Sequence, residues 1–270
     1  MLFSIIISVI TFLLKLFLRY RAPPILVGPV LDAEQRRIAH DAFYGNGNEM
    51  RIHPEHAGIK NTNYRWPGYP GGGTVPYVID ASVEHLRDAI MDAIKQYHDN
   101  TCIRFVERTD QENYISIKQL RGQRKGEKAT TLLQNPLKKR KCEKYQGKQE
   151  VSLGEGCEPL GTIVHELGHA LGLFHEHMRS DRDNWIVVHE ENIIPKMLDQ
   201  FNRTDADQEI ISTPYDTHSI MHYGNYAFSK DPDNLMSMEA LDGTELLEPY
   251  DKPGMTDNDI EMINKLYECQ

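Results

Sequence analysis

The chain has no excess of positive charge, no Cys-x-x-Cys pair, no evident internal repeat, and no apolar run long enough for a full membrane span. Its 30 lysines and arginines against 40 aspartates and glutamates give a formal net charge of −10, which argues against nonspecific attraction to nucleic acid. Without a repeat, 270 residues fit one globular unit with short appendages. The four cysteines, Cys102, Cys142, Cys157 and Cys269, are even in number and lack metal-site spacing. They read as two disulfides of an oxidising compartment, with all three pairings open. The longest apolar stretch, residues 2–14, suits the hydrophobic region of a signal peptide and is short for a span. Residues 1–21 are therefore expected to direct secretion. The alternative is a signal anchor, with Lys15 snorkelling and the folded domain outside the cytoplasm.

Beyond residue 21 the chain changes character twice. Residues 22–56 are rich in turn formers and charge, with Pro23-Pro24 and YGNGNE, and read as a pro-segment. From Thr74 the run TVPYVID has the β-branched and aromatic residues of a strand, Pro76 suggesting an edge. Ser82 is expected to cap a helix whose Val83, Leu86, Ile90, Ala93, Ile94 and Tyr97 recur at helical spacing. CIRFVE, YISIKQL and QEVSL then read as strands, giving strand, helix and three strands before the next helix, an α+β order. Residues 121–148, with LKKRK at 137–141, read as a solvated loop. Asn202-Arg203-Thr204 is a glycosylation triplet that fits an extracellular setting.

The chemistry is concentrated in GTIVHELGHALGLFHEH. His165 and His169 are four apart, which on a helix puts both imidazoles on one face. Gly172 can take the positive φ that ends a helix, letting His175 return to the same point. Three neutral imidazoles suit one zinc ion and leave a position open for water, as a catalytic site requires. Glu166, beside His165, is placed to take a proton from that water as it attacks a carbonyl and to pass it to the leaving amine. Peptide hydrolysis is the reaction this set fits. A closed structural zinc site would need a fourth strong ligand.

HELGHALGLFH is the metzincin signature, and HEHMRSDRDNW with SIMHYG at 219–224 resembles the astacin family of zinc endopeptidases. The resemblance runs from YRWPGYPGGGTVPYVI through NTCIRFVER to EPYDKPGMTDNDIEMINKLYEC and covers roughly residues 57–269. It implies a two-lobed α+β catalytic domain over 57–270, with the active-site helix between a sheet-containing N-terminal lobe and an irregular C-terminal lobe. Protein or peptide substrate would lie extended across the cleft, and membrane contact would come only from an uncleaved 1–21. It further implies Met221 in a turn beneath the metal, Tyr223 as a fifth zinc ligand able to swing away and bond an oxyanion, and the pairings Cys102–Cys269 and Cys142–Cys157. Glu176 would meet the new N-terminus through a water after pro-segment removal. Three positions depart from the pattern. Phe43-Tyr44-Gly45-Asn46 stands where the family has F-x-G-D, so an uncharged amide replaces the latency aspartate and looser latency is expected. Arg51 offers a trypsin-like cleavage point while the usual start matches His56-Ala57. Residues 121–148 are longer and more basic than in relatives.

Overall fold

The computed structural model describes residues 58–119, 130–132, 147–154 and 156–270. The expected signal and pro-segments, Asn46, Arg51, Cys142 and most of 121–148 lie outside the described residues. Within them, a five-stranded sheet and two helices form the N-terminal lobe. Strand β1 (Gly73–Ile79) leads to a 3-10 turn (Ala81–Leu86) and helix α1 (Arg87–Asn100). Strands β2 (Ile103–Glu107), β3 (Tyr114–Lys118), β4 (Thr130–Leu132) and β5 (Lys148–Ser152) come next, then helix α2 (Leu160–Ala170). The sheet order is β2-β1-β3-β5-β4, with every pair parallel except β4 against β5.

Three details differ from the sequence-based expectation, each for a local reason. Pro76 lies in β1, which is flanked on both sides. Yet β1 pairs with β2 over Gly73–Tyr77 and with β3 only from Tyr77 onward. Because Tyr77 O accepts from Arg108 at the β2 side, Pro76 faces the other way, where no ladder bond yet needs its missing N–H. The cap is Asp80, at the head of the 3-10 turn that precedes α1, and its carboxylate accepts from Ser82 N (2.9 Å) and Ser82 Oγ (2.6 Å), so Ser82 is the capped residue. And β4 takes its backbone from the stretch read as solvated loop. The apolar face is otherwise as its spacing requires, since Val83 and Leu86 in the 3-10 turn and Ile90, Ala93, Ile94 and Tyr97 on α1 are all buried.

After α2 the chain is mostly 3-10 turns and irregular loops, with a two-stranded pair, β6 (Ile186–Val188) and β7 (Met238–Ala240), and a closing helix α3 (Asp257–Leu266). This is the irregular lobe. A disulfide joins Cys102, at the start of β2, to Cys269, after α3, with Cα atoms 5.5 Å apart. It ties the sheet lobe to the end of the chain. Cys157 is buried. Among the described residues no helix is long and apolar enough to cross a membrane.

Candidate metal and active site

Helix α2 is buried nearly all round, with Gly161 through Gly168 buried without a break, so it runs through the core. Tyr97 on α1 donates to Val164 O at 2.6 Å. The helix ends in a Schellman turn, with Leu173 N bonded to Gly168 O (3.1 Å), Gly172 N to His169 O (2.9 Å) and Gly172 at φ +92°, which only glycine adopts without strain. Two further terminal carbonyls are satisfied from elsewhere, Ala170 O by Trp66 Nε1 (2.8 Å) and Leu171 O by Tyr267 OH (3.0 Å). The chain direction that brings His175 back is thus fixed from three sides.

The result is a convergence of three imidazoles. The Nε2 atoms of His165, His169 and His175 stand 3.0, 3.1 and 3.3 Å from one another. His165 Nδ1 lies 2.8 Å from Ile220 O and His169 Nδ1 2.9 Å from Leu173 O. A carbonyl can only accept, so Nδ1 carries the proton in both rings and each Nε2 presents a lone pair inward. Lone pairs cannot bond one another. A shared cation resolves the contact, and ligands about 2.0–2.1 Å from a tetrahedral zinc sit about 3.3–3.4 Å apart, close to the spacing found. Burial also lowers the proton affinity of the rings, pushing His169 down to about 4 and holding His165 well below the usual histidine range, with His169 as a second cause for His165. Neutral imidazoles are what a metal requires.

Glu166, buried beside His165 on α2, and Tyr223 complete the set. The Tyr223 ring lies 4.3 Å from His175 and 4.4 Å from His177, centroid to centroid. Its phenol is held well above its ordinary pKa by burial, with the Glu166 and Glu248 carboxylates adding to the effect. Met221 lies under α2, and a Cβ on Gly168 would come within 2.9 Å of its sulfur. Glu176 is buried, bonded to Arg179 (2.7 Å) and to Asp216 N (3.1 Å). Burial still raises it to about 8, against the Arg179 charge and with the Asp259 carboxylate adding to the rise.

Several supports carry no signal in the sequence. Lys252, 6 % exposed, donates Nζ to Ser219 O (2.7 Å) and His222 O (2.6 Å), spanning the turn that carries Met221. Burial lowers its pKa to about 8. Asp259 accepts from Ser219 Oγ (2.5 Å) and Ile220 N (2.8 Å), and Glu248 accepts from Gly224 N (2.9 Å). The segment Glu248–Lys252 also presses on the start of α2, since a Cβ at Gly161 would meet Pro249 O at 2.0 Å and Lys252 O at 2.5 Å. One strap therefore braces both the helix bearing His165 and the turn bearing Tyr223. These residues mark themselves by contacts across the fold. The exception is Asp259, in the T-D-N-D run whose Thr256 and Asp259 form the capping box of α3.

The sequence pattern of the Astacin peptidase family matches residues 58–127 and 139–268. The chain is similar to astacin-like metalloprotease toxin 2 of Loxosceles intermedia, 38% identical over 216 residues, covering 80% of this chain and 78% of that protein. It is also similar to the low choriolytic enzyme of Oryzias latipes, 36% identical over 217 residues, covering 76% and 69%. Among solved structures it resembles high choriolytic enzyme 1, a hatching enzyme zinc-protease from Oryzias latipes. That match has a TM-score of 0.66 and 33% identity, covering 79% of this chain and all of the other.

Proposed function

Because the chain belongs to the astacin family of zinc metalloendopeptidases, we propose that it cleaves peptide bonds of extracellular proteins, with His165, His169 and His175 as zinc ligands and Glu166 as general base. The observation that carries this is the trio of Nε2 atoms within 3.3 Å of one another on a helix that also bears Glu166. The chemistry zinc supplies when bound there is Lewis acidity, which brings a water's pKa toward roughly 7 and polarises a carbonyl. The Glu166 carboxylate takes a proton from the attacking water and hands it to the nitrogen of the leaving amine. Tyr223, kept protonated by its burial, donates its phenol to the oxygen on which negative charge develops. An extended substrate finds main-chain partners along β4, the end strand of the sheet.

Maturation involves the same residues. Residues 1–21 route the chain out of the cytoplasm, and removal of 22–56 leaves a catalytic domain starting near Ala57. Gly58 bridges to Leu173, which lines a small cavity with Phe174, Glu176, Thr213 and Asp216. A new amino terminus one residue upstream of Gly58 has the buried Glu176 carboxylate as its natural counter-charge.

The test is cleavage of a quenched fluorescent peptide library by protein trimmed near residue 56, compared with Glu166→Ala and with chelator-treated enzyme. Wild type alone should cleave, Glu166→Ala should retain its zinc, and the rate should fall by about 10²–10⁴ or more. A variant that hydrolyses at near wild-type rate would remove Glu166 from its role. A folded, zinc-loaded wild type that cleaves nothing would favour a binding protein.

A further inference from the structure

Asn202-Arg203-Thr204 is the only Asn-x-Ser/Thr triplet in the sequence, and the catalytic reading makes no use of it. The structure places Asn202 just past the 3-10 turn Pro195–Phe201, with φ −63° and ψ 137°, exposed to solvent. Its backbone N–H bonds to Asp199 O at 3.3 Å, and among the described residues no hydrogen bond holds its side-chain amide. Arg203, the neighbour best able to engage that amide, is drawn off by Asp183 at 2.8 Å. Thr204 behaves oppositely. It is buried, and both its N–H (2.9 Å) and its Oγ1 (3.1 Å) bond to Met178 O.

From this pairing of an exposed, unengaged amide with an inward-turned threonine we infer that Asn202 is an N-linked glycosylation site. The inference rests on the reading that the chain enters the secretory pathway. The donor is a lipid-linked diphospho-oligosaccharide. Asn202 Nδ2 forms a bond to the anomeric carbon of the sugar, the bond from that carbon to the diphosphate oxygen breaks, and the amide gives up one proton. A transferase must reach the threonine hydroxyl to recognise the triplet, and in the fold that hydroxyl is sequestered on Met178. The sugar is therefore added before residues 176–204 pack. Once they have packed, burial of Thr204 directs Asn202 outward, so the bulky polar product stays on the surface, where such groups are accommodated. The fold itself needs nothing from the Asn202 side chain.

The test expresses the full chain in insect cells in two forms, one natural and one with residues 1–21 replaced by a leader of known function, and maps the peptide containing Asn202 by mass spectrometry. With the known leader, the peptide is expected to carry an oligosaccharide and to lose it to peptide:N-glycosidase, which leaves an aspartate at the position. Asn202→Gln should abolish the mass increase while peptidase activity stays at the wild-type value. Secreted protein whose Asn202 peptide is wholly unmodified overturns the site. If the natural chain stays inside the cell while the leader-swapped chain is glycosylated, the site stands and the targeting reading fails.

Discussion

Substituting Gly161 by alanine tests whether the strap Glu248–Lys252 sets the geometry of the site. The added methyl group would lie 2.0 Å from Pro249 O and 2.5 Å from Lys252 O. Both are backbone atoms that cannot swing aside, and Cβ atoms essentially never approach heavy atoms within 3.0 Å. The gap between α2 and the strap must therefore open by about 1 Å, the difference between 3.0 and 2.0 Å. His165 is one helical turn further along α2, while Tyr223 lies in the turn that Lys252 holds through Ser219 O and His222 O. Opening the gap thus moves ligands and phenol relative to each other. A displacement of about 1 Å costs roughly 10²-fold in rate, or about 2.7 kcal/mol of barrier. Overpacking costs about 1–3 kcal/mol of stability. Cleavage of the quenched peptide, zinc content by elemental analysis and thermal melting should be measured together. The expected variant is folded, binds one zinc, and is slowed about 100-fold, mainly in kcat. A variant within about threefold of wild type, with zinc and melting unchanged, would refute the strap's role.

Three other outcomes are expected from the same contacts. Breaking the Cys102–Cys269 bridge, which closes a separation of 167 residues, should cost about 3–5 kcal/mol, the upper part of the range for long loops. For a domain of this size that is a melting point lower by roughly 6–20 °C, and an unchanged melting curve would count against it. His222 is fully buried and is held down to about 3, first by burial and then by the Lys252 charge. The unfolded chain takes up its proton below about pH 6.5 while the folded chain does not until about pH 3, so stability falls with pH across that window. At pH 5 this amounts to about 2 kcal/mol, and urea midpoints at pH 7 and 5 should show that loss shrinking in His222→Asn. Lys252→Met removes the donor to two buried carbonyls. It should lower stability by about 1.5–3 kcal/mol and kcat more than KM, whereas an equal rise in KM with kcat untouched would contradict a positioning role.

The legible part of the fold was the part written in local periodicity. The apolar face of α1 and the segments containing β1, β2, β3 and β5 are set by spacing and residue type. Strand β4 was not legible, because Thr130–Leu132 is three residues long inside a basic run, and its place is set by antiparallel pairing with β5. Pro76 misled for a related reason. Its ring announces that one ladder bond is missing, and only the staggered register of β2 and β3 shows that β1 can be interior and still leave that bond unneeded.

The site divides along the same line. His165, Glu166, His169 and Gly172 are legible because a helix turns spacing into direction, and a glycine with a positive φ turns the chain back to His175. The residues that fix those ligands are remote in sequence: Ile220 O orients His165, Lys252 and Asp259 fix the turn that contains Ile220, and Pro249 bears on the first turn of α2. Each of these contacts has a backbone atom on one side, so a pattern of side chains alone does not record the pairing. Motion of the Glu248–Lys252 strap would therefore reach the imidazoles and the phenol together, and a single substitution at its contact with Gly161 should affect catalysis without touching any residue named by the motif.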